Sequence, residues 1–247
     1  MGPIGIFDSG IGGLTVARAA CDLLPNEGIL YFGDTAHLPY GEKSPELIRK
    51  YSTRIALHLV NSGCKAIVVA CNSASSNALE QVRQVVGPSI PVIDMVNPVV
   101  ESLYFRSQYS GLIGLIGTRA TISSGLYSAA VNELNSIGGA RFTLKSRSTP
   151  LLASAIEEGF YNDTIPGAVL EAYLVDRYFD DVDAMILGCT HYPLVREEVI
   201  QLLPKSVDVL DPPAIIAKAL EMKLSELNLL SNSNDISNRF QVSDLTE

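Results

Sequence analysis

Two cysteines with polar neighbours follow similar apolar runs, and their type and spacing point to proton-transfer chemistry. The run AIVVAC ends at Cys71 and is followed by an asparagine and a serine, while AMILGC ends at Cys189 and is followed by a threonine and His191. A lone cysteine is most often simple packing, because cysteine is among the residues most frequently buried in proteins. Two cysteines at the same point of two similar patterns indicate a shared role.

A thiol pair facing across one cleft can exchange disulfides, bind a soft metal or act as two separate acid–base groups. Redox pairs usually occur as CxxC, which is absent here, and no two of the three histidines have metal-ligand spacing. Inversion of a carbon stereocentre by proton exchange needs one base on each face, so acid–base catalysis is the favoured hypothesis. The weaker redox alternative predicts a reversible Cys71–Cys189 disulfide. Cys21 and Cys64 are assigned to packing or surface.

Each thiol needs a proton partner, because a free cysteine has a pKa of about 8.5. Asp8, at the end of the run IGIFD, could assist Cys71, and His191 could assist Cys189. The glycines after Asp8 have the wrong spacing for a dinucleotide or P-loop motif. They favour a tight loop whose backbone amides, together with the Ser9 hydroxyl, hold a carboxylate at a helix N-terminus.

Short polar residues beside the same predicted strand ends suit the binding of an amino acid. Tyr40 and Gly41 offer a phenol and an unhindered amide for a second carboxylate, and Asn72, Ser73 and Thr190 flank the cysteines. Pyridoxal phosphate would need a lysine to form a Schiff base, and no lysine lies at a strand end that carries these residues. The sequence therefore predicts a reaction without cofactor or metal.

Short apolar runs alternate with helical patterns along the chain. Continuous apolar strands separated by helices are typical of parallel sheets covered on both faces. Strands are predicted at 4–7, 29–34, 66–71, 91–95, 111–117, 141–146, 184–189 and 207–211. Helices are predicted at 14–24, 44–63, 73–86, 121–138 and 212–227, with a further helix from about Pro193 and a long helical stretch, broken near Pro166, that runs to about Phe179.

The two halves of the chain resemble each other, since IGIFDSGIGG (4–13) is similar in character to IGLIGTRATI (113–122). The fold is therefore predicted to be α/β, with two pseudo-symmetric lobes, each a mostly parallel sheet flanked by helices. The first lobe is expected to comprise 1–97 plus about 207–247, and the second lobe 98–206. Ligands of such sheets bind beyond the carboxyl ends of the strands, so the active site is expected in the cleft between the lobes.

The composition limits the classes of partner. With 247 residues, 47% hydrophobic and 18% charged, the chain has the composition of a soluble globular protein. Its net charge of −9 disfavours a nucleic-acid surface and an anionic membrane surface. No secretory signal and no membrane-spanning apolar run is found, so a cytoplasmic location is expected.

Four motifs occur in an order that resembles a known family: FDSGIGG (7–13), DTAHLPYG (34–41), VACNSAS (69–75) and GCTHYP (188–193). Together they are similar to the glutamate racemases of the aspartate/glutamate racemase superfamily, and the resemblance covers nearly the whole chain. Aspartate racemases share the two-cysteine plan, but the FDSG, PYG and GCTH segments favour the glutamate enzymes.

The resemblance implies that Cys71 acts on D-glutamate and Cys189 on L-glutamate, with Asp8 and His191 assisting them and Glu157 supporting the histidine. It also implies a set of substrate contacts. These are Asp8, Ser9, Tyr40, Gly41, Asn72, Ser73, Thr118, Thr121, Thr190 and His191.

The resemblance further implies a cytoplasmic, cofactor-independent homodimer that supplies D-glutamate for peptidoglycan, and thus for cell wall and cell shape. Two departures stand out: Ser73 replaces the usual threonine, and the family commonly continues through one more helix after FQVSDLTE. Two alternatives stay open. One is a racemase of aspartate or another acidic amino acid, and the other is a non-catalytic two-lobe amino-acid binding protein.

Overall fold

Two parallel β-sheets flanked by helices make up the part of the chain that the computed structural model describes, namely residues 2–106, 110–137, 139–160, 164–231 and 237–244. The predicted α/β class is thereby confirmed. No helix in these ranges combines the length and the apolar character needed to cross a membrane.

The elements are numbered in chain order. The strands are β1 (Ile4–Asp8), β2 (Ile29–Gly33), β3 (Ala66–Val69), β4 (Val92–Ile93), β5 (Ser110–Gly117), β6 (Arg141–Ser148), β7 (Ala184–Gly188), β8 (Asp208–Val209) and β9 (Arg239–Val242). The helices are α1 (Leu14–Leu23), α2 (Pro45–Asn61), α3 (Asn72–Val86), α4 (Asn97–Arg106), α5 (Arg119–Ser123), α6 (Leu126–Ser136), α7 (Pro150–Glu157), α8 (Ile165–Leu174), α9 (Arg196–Leu202) and α10 (Pro212–Glu226).

The two sheets repeat one strand order. The first sheet runs β4–β3–β1–β2–β9 and the second runs β8–β7–β5–β6, with all neighbours parallel. Apart from β9, each strand of one sheet has a counterpart in the other, with β1 and β5 at equivalent places. Cys71 follows β3 and Cys189 follows β7, so the two thiols occupy equivalent positions in the two lobes.

The central strands are apolar throughout because helices cover both of their faces. Every residue of β1, β3 and β7 is buried, as expected for strands inside a parallel sheet. The polar residues that follow these strands therefore lie at the edge of a rigid apolar layer. The side chains of the candidate site are therefore backed by closely packed apolar residues.

Several elements differ from the sequence-based prediction. The helix predicted at 121–138 is two helices, α5 and α6, because Gly125 adopts a left-handed φ of 72° between them. The long stretch toward Phe179 divides into α7 and α8, and 161–163 between them lie outside the described residues. Neither α4, where the first lobe was expected to end, nor β9 was predicted. The strand β9 follows a polar, turn-rich segment, whereas α4 was missed although the buried residues Val96, Val99, Val100 and Leu103, within it or directly before it, have helical spacing.

The C-terminal part of the chain returns to the first lobe later than expected. Residues from about 207 were assigned to the first lobe, but β8 pairs with β7 in the second sheet, as β4 does with β3 in the first. The helix α10 then packs against α1 and α4, and β9 pairs with β2. The short strand was misplaced because sequence cannot show which sheet edge it joins. The division into two folding units stays a prediction.

A buried ion pair holds the segment after α10 against the first lobe. The Lys65 Nζ lies 2.6 Å from Glu27 Oε2, and the two side chains are only 7% and 3% exposed. The ammonium also donates to the carbonyl of Leu229, and the other Glu27 oxygen accepts from the backbone amide of Ser231. Since both charges have hydrogen-bond partners inside the protein, this pair links the N-terminal and C-terminal parts of the chain.

Removal of one partner of this ion pair is expected to destabilise the fold strongly. Lys65→Met leaves the Glu27 carboxylate buried without its counter-charge, which costs about 3–5 kcal/mol. Urea unfolding measures the change, with Arg18→Met as control, since the Arg18–Asp22 pair is exposed and such pairs contribute little. Equal midpoints for the two variants would contradict the structural role of the buried pair.

Candidate active site

The first thiol lies at the junction of β3 and α3, almost out of contact with solvent. Cys71 is 4% exposed, and it is the N-cap of α3, where its Sγ accepts from the amide of Ala74 at 3.4 Å. The Sγ also lies 3.7 Å from the Ser9 Oγ. A helix N-terminus favours a thiolate. The sequence thus places this sulfur where an amide and a hydroxyl both contact it.

Burial nevertheless dominates the acidity of this thiol. Loss of water, together with the nearby Asp8 carboxylate, raises the pKa of Cys71 to about 12, although the amide of Ala74 and the Ser9 hydroxyl act in the opposite direction. The resting form is therefore the thiol. Once the proton is lost, the thiolate is a strong base because it is poorly solvated.

The second thiol belongs to a chain of proton-carrying groups. The Cys189 Sγ lies 3.5 Å from Nδ1 of His191, and Nε2 of the same ring is hydrogen-bonded to Oε2 of Glu157. With the carboxylate accepting from Nε2–H, the Nδ1 lone pair faces the sulfur. This is the nucleophile–base–orienting-group arrangement that activates a thiol or hydroxyl, and the three side chains form a continuous chain of contacts.

The charges around the second thiol also oppose its ionisation. Burial raises the pKa of Cys189, and the neighbouring Cys71, Asp8 and Glu157 raise it further, while a hydrogen bond from the His191 backbone lowers it. Burial also raises the pKa of Glu157, against the lowering effect of His191.

Asp8 organises the loop that follows β1. Its Oδ2 accepts from the backbone amides of Gly10 and Gly13 at 3.1 and 3.0 Å. The residue is fully buried, and its Oδ1 has no hydrogen-bond partner among the described residues. A buried carboxylate oxygen without a partner is costly. Asp8 therefore offers one free acceptor at the edge of the sheet beside Cys71.

The glycines of this loop allow it to lie directly against the other lobe. A Cβ on Gly12 would lie 2.6–2.8 Å from three atoms of the His191 ring, and one on Gly10 would lie 2.9 Å from Oε1 of Glu157. Nearby, Thr15 Oγ1 contacts the Thr190 carbonyl at 3.2 Å. The first lobe thus contributes the backbone surface on which the acid–base groups of the second lobe rest.

A cluster of hydroxyls also joins the two lobes. The Ser73 Oγ lies 2.9 Å from Thr118 Oγ1, which lies 3.0 Å from Thr121 Oγ1. Gly41 packs against this cluster so closely that a Cβ would lie 2.7 Å from the Thr118 Cβ. These four residues, far apart in sequence, form one buried polar surface.

Two residues that the sequence analysis did not name, Asp34 and Tyr127, form hydrogen bonds with predicted site residues. The Tyr40 hydroxyl donates to Asp34 Oδ2, so this phenol supports the loop instead of projecting freely. The Asn72 Oδ1 accepts a hydrogen bond from Tyr127, which lies on α6 of the second lobe. Asp34 follows a strand within a motif and could have been found, whereas Tyr127 lies inside an ordinary helix pattern and gave no signal.

A small cavity lies beside two of the candidate acid–base groups, Glu157 and His191. Its volume is about 140 Å³, and its lining includes Ser9 and Leu38 from the first lobe with Glu157 and His191 from the second.

All four cysteines are described and free, with Cys64 buried and Cys21 partly exposed on α1. Within the described ranges, no cluster of three or more histidine, cysteine, aspartate or glutamate side chains could hold a metal ion.

Comparison with known proteins assigns the chain to a family. The family model described as Asp/Glu/Hydantoin racemase matches residues 15–220. The chain belongs to this racemase family. The resemblance inferred from the four sequence motifs is thereby confirmed.

The similar racemases cover most of the chain. A glutamate racemase of Chlorobaculum parvum is 40% identical over 232 residues, which are 94% of this chain and 83% of that protein. The crystal structure of the Francisella tularensis glutamate racemase in complex with D-glutamate has a TM-score of 0.88 and 36% identity, covering 99% of this chain and 89% of that one. The crystal structure of the glutamate racemase isoform RacE1 of Bacillus anthracis has a TM-score of 0.91 and 32% identity, covering 99% of this chain and 89% of that one.

Proposed function

We propose that the protein interconverts L-glutamate and D-glutamate by a two-base proton transfer at Cα, with Cys71 and Cys189 as the two bases. The observation that carries this proposal is the equivalent placement of the two buried thiols after β3 and β7, each with its own polar partners. The glutamate racemases among its relatives support the choice of substrate.

The proposed reaction moves one proton off Cα and another onto it. With D-glutamate, the Cys71 thiolate removes the α-proton and becomes a thiol, leaving a carbanion that is delocalised into the carboxylate. The Cys189 thiol then gives its proton to the opposite face and becomes a thiolate, which produces L-glutamate. The reverse direction exchanges the two roles. His191, held by Glu157, accepts and returns the Cys189 proton through Nδ1.

Burial supports this difficult deprotonation. By Brønsted behaviour, a more basic thiolate accepts a proton from carbon more readily, although a smaller fraction of it is ionised at the working pH. The raised pKa values of Cys71 and Cys189 bring each thiolate closer to the weakly acidic Cα–H than a solvated thiolate would be. The cost is a small fraction of thiolate in the resting enzyme.

Free polar groups around the thiols suit an acidic amino acid. The unpartnered Asp8 Oδ1 is an acceptor for the ammonium group, and the unpartnered Asn72 Nδ2 is a donor for a carboxylate. Ser9 and Thr190 add hydroxyls next to the two thiols. The hydroxyls of Ser73, Thr118 and Thr121 and the Gly41 amide are assigned to the second carboxylate.

The reaction is proposed to need no cofactor. Lys65, the lysine beside β3, precedes that strand and is paired with Glu27, away from the carboxyl-end edge. No lysine directly follows β1, β3, β5 or β7. Turnover is therefore expected to continue in the presence of chelators and of carbonyl reagents that trap pyridoxal phosphate.

The kcat/KM is expected to keep rising with pH above about 8.5, the pKa of an ordinary thiol. Because the Cys71 pKa is raised to about 12, the thiolate fraction grows about tenfold per pH unit at any pH well below that value. The kcat/KM for D-glutamate should therefore still rise between about pH 7 and pH 9. A pH–rate profile tests this, with circular dichroism at each pH as control. A plateau below about pH 8.5 would contradict it.

The decisive experiment for the substrate is exchange of the Cα proton in D2O. Purified protein is incubated with L-glutamate or L-aspartate, and NMR follows both deuterium incorporation and appearance of the other enantiomer. Glutamate is expected to exchange and invert far faster than aspartate. The reverse preference would identify an aspartate racemase, and binding of either amino acid without exchange would identify a non-catalytic binding protein.

The cellular role is proposed to be supply of D-glutamate for peptidoglycan by a cytoplasmic homodimer. The family relationship supports this role. Expression of the chain should remove the D-glutamate requirement of a bacterial strain that lacks its own racemase. Light scattering tests the dimer, which predicts a solution mass of twice the 26.5 kDa chain.

A further inference from the structure

A buried tyrosine of the second lobe reaches the residue beside the first thiol. Tyr127 on α6 is 2% exposed, and its hydroxyl donates to Oδ1 of Asn72 at 2.7 Å. Asn72 is the first residue of α3 and directly follows Cys71. A single hydrogen bond from the second lobe therefore holds a side chain that the first lobe places next to its thiol.

The direction of this hydrogen bond determines which end of the amide stays free. A phenol has one proton to donate. The carbonyl of Met95 lies 3.4 Å from the Tyr127 oxygen, so the shorter contact to Asn72 takes the proton. With Oδ1 accepting, the amide NH2 points the other way, and Nδ2 is buried without a partner among the described residues. A buried donor of this kind is costly unless a ligand satisfies it.

The phenol keeps its proton under all working conditions. Burial raises the pKa of Tyr127 well above its ordinary value, and the negative charges of Asp94 and of an ionised Cys189 raise it further. Tyr127 is thus a permanent donor. It differs in this respect from a histidine or carboxyl group, whose role would change with pH.

We infer that Tyr127 is a positioning residue for the racemase reaction: from the second lobe it fixes the Asn72 amide with its NH2 directed at the substrate carboxylate. The inference rests on the proposed function, in which Asn72 contacts the substrate. Without the Tyr127 hydroxyl, the amide can turn and present either its oxygen or its nitrogen. An oxygen facing a carboxylate repels it, so the fraction of productive enzyme falls.

A double-mutant cycle separates positioning from a general structural role. Tyr127→Phe removes the hydroxyl and keeps the packed ring, and it is expected to lower kcat/KM about tenfold, mainly through a higher KM. In the Asn72→Ala background the same substitution should change kcat/KM less than about twofold, because the group on which it acts is already gone. The cycle uses glutamate or aspartate, whichever the parent protein turns over.

A matched control accounts for the loss of a buried hydroxyl as such. Tyr192→Phe removes a hydroxyl that lies 2.7 Å from Thr149 Oγ1 within the second lobe. Both tyrosine variants should show similar losses in melting temperature, but only Tyr127→Phe should depend on Asn72. The inference would be overturned if Tyr127→Phe lowered kcat/KM equally with and without Asn72. It would also be overturned if Tyr127→Phe in the parent protein caused no loss of kcat/KM. Failure of the proposed function is seen separately, as absence of glutamate turnover by the parent.

Discussion

Replacement of Cys71 by alanine is expected to abolish racemisation in both directions, with kcat reduced at least about 10³-fold. In the proposed mechanism each direction needs both thiols, one to remove a proton and one to return it, and a positioned acid–base group commonly contributes about 10²–10⁴-fold. The remaining thiol can still remove the proton on its own side. Cys71→Ala should therefore retain slow deuterium exchange with L-glutamate and none with D-glutamate, whereas Cys189→Ala should show the reverse.

The cysteine variants have a matched control within the same fold. Cys64 is also buried, but it packs beside β1 against Gly5, away from the polar residues of the candidate site. Cys64→Ala should retain turnover of both enantiomers. NMR in D2O gives exchange and inversion in one measurement. Normal turnover of both enantiomers by Cys71→Ala would end the two-base proposal, and loss of exchange with both by each single variant would show that the thiols do not act on separate faces.

Gly12→Ala is expected to reduce kcat about 10²-fold or more without unfolding the protein. The new methyl group would lie 2.6–2.8 Å from the His191 ring, closer than real Cβ contacts allow. That ring is held between Cys189 and Glu157 and can move only by losing one of these contacts. A displacement of about 1 Å in a reacting group can cost about 10²-fold in rate.

A glycine in an open position provides the control for this substitution. Gly167 lies on α8, and no described atom lies within 4 Å of the position that its Cβ would take. Gly167→Ala should keep full activity and gain slightly in stability, since alanine is the better helix former. Steady-state rates and melting curves compare the two variants. If Gly12→Ala kept the wild-type kcat, the prediction would be wrong, because the loop would then have moved away from a His191 ring that stays in place.

The sequence was sufficient for the plan of the fold because the relevant signals are local. Continuous apolar runs followed by glycine or small polar residues predicted the central strands β1, β3 and β7, and the carboxyl-end rule placed Asp8 and Cys71 at the edge of one sheet and Cys189 at the equivalent edge of the other. These strands are confirmed by the structure. The helix α2 was equally clear, with Ser44 as its N-cap and a proline in its first turn.

Other features depend on contacts that no local pattern shows. The position of β8 in the second sheet follows from pairing with β7, which a strand of two residues does not reveal. The hydrogen bond from Tyr127 to Asn72 joins residues 55 positions apart, and a tyrosine in a helix is most often core packing. The close packing of the Gly12 loop on His191 likewise needs both lobes at once.

The deep burial of the two thiols also determines how the protein meets oxidants and alkylating agents. Such reagents attack thiolates that solvent can reach, and Cys71 and Cys189 are 4% and 6% exposed with raised pKa values. Cys21, the partly exposed cysteine on α1, should be modified first. In the proposed mechanism the reactive thiolates are therefore protected, because they form inside the protein and away from the surrounding solution.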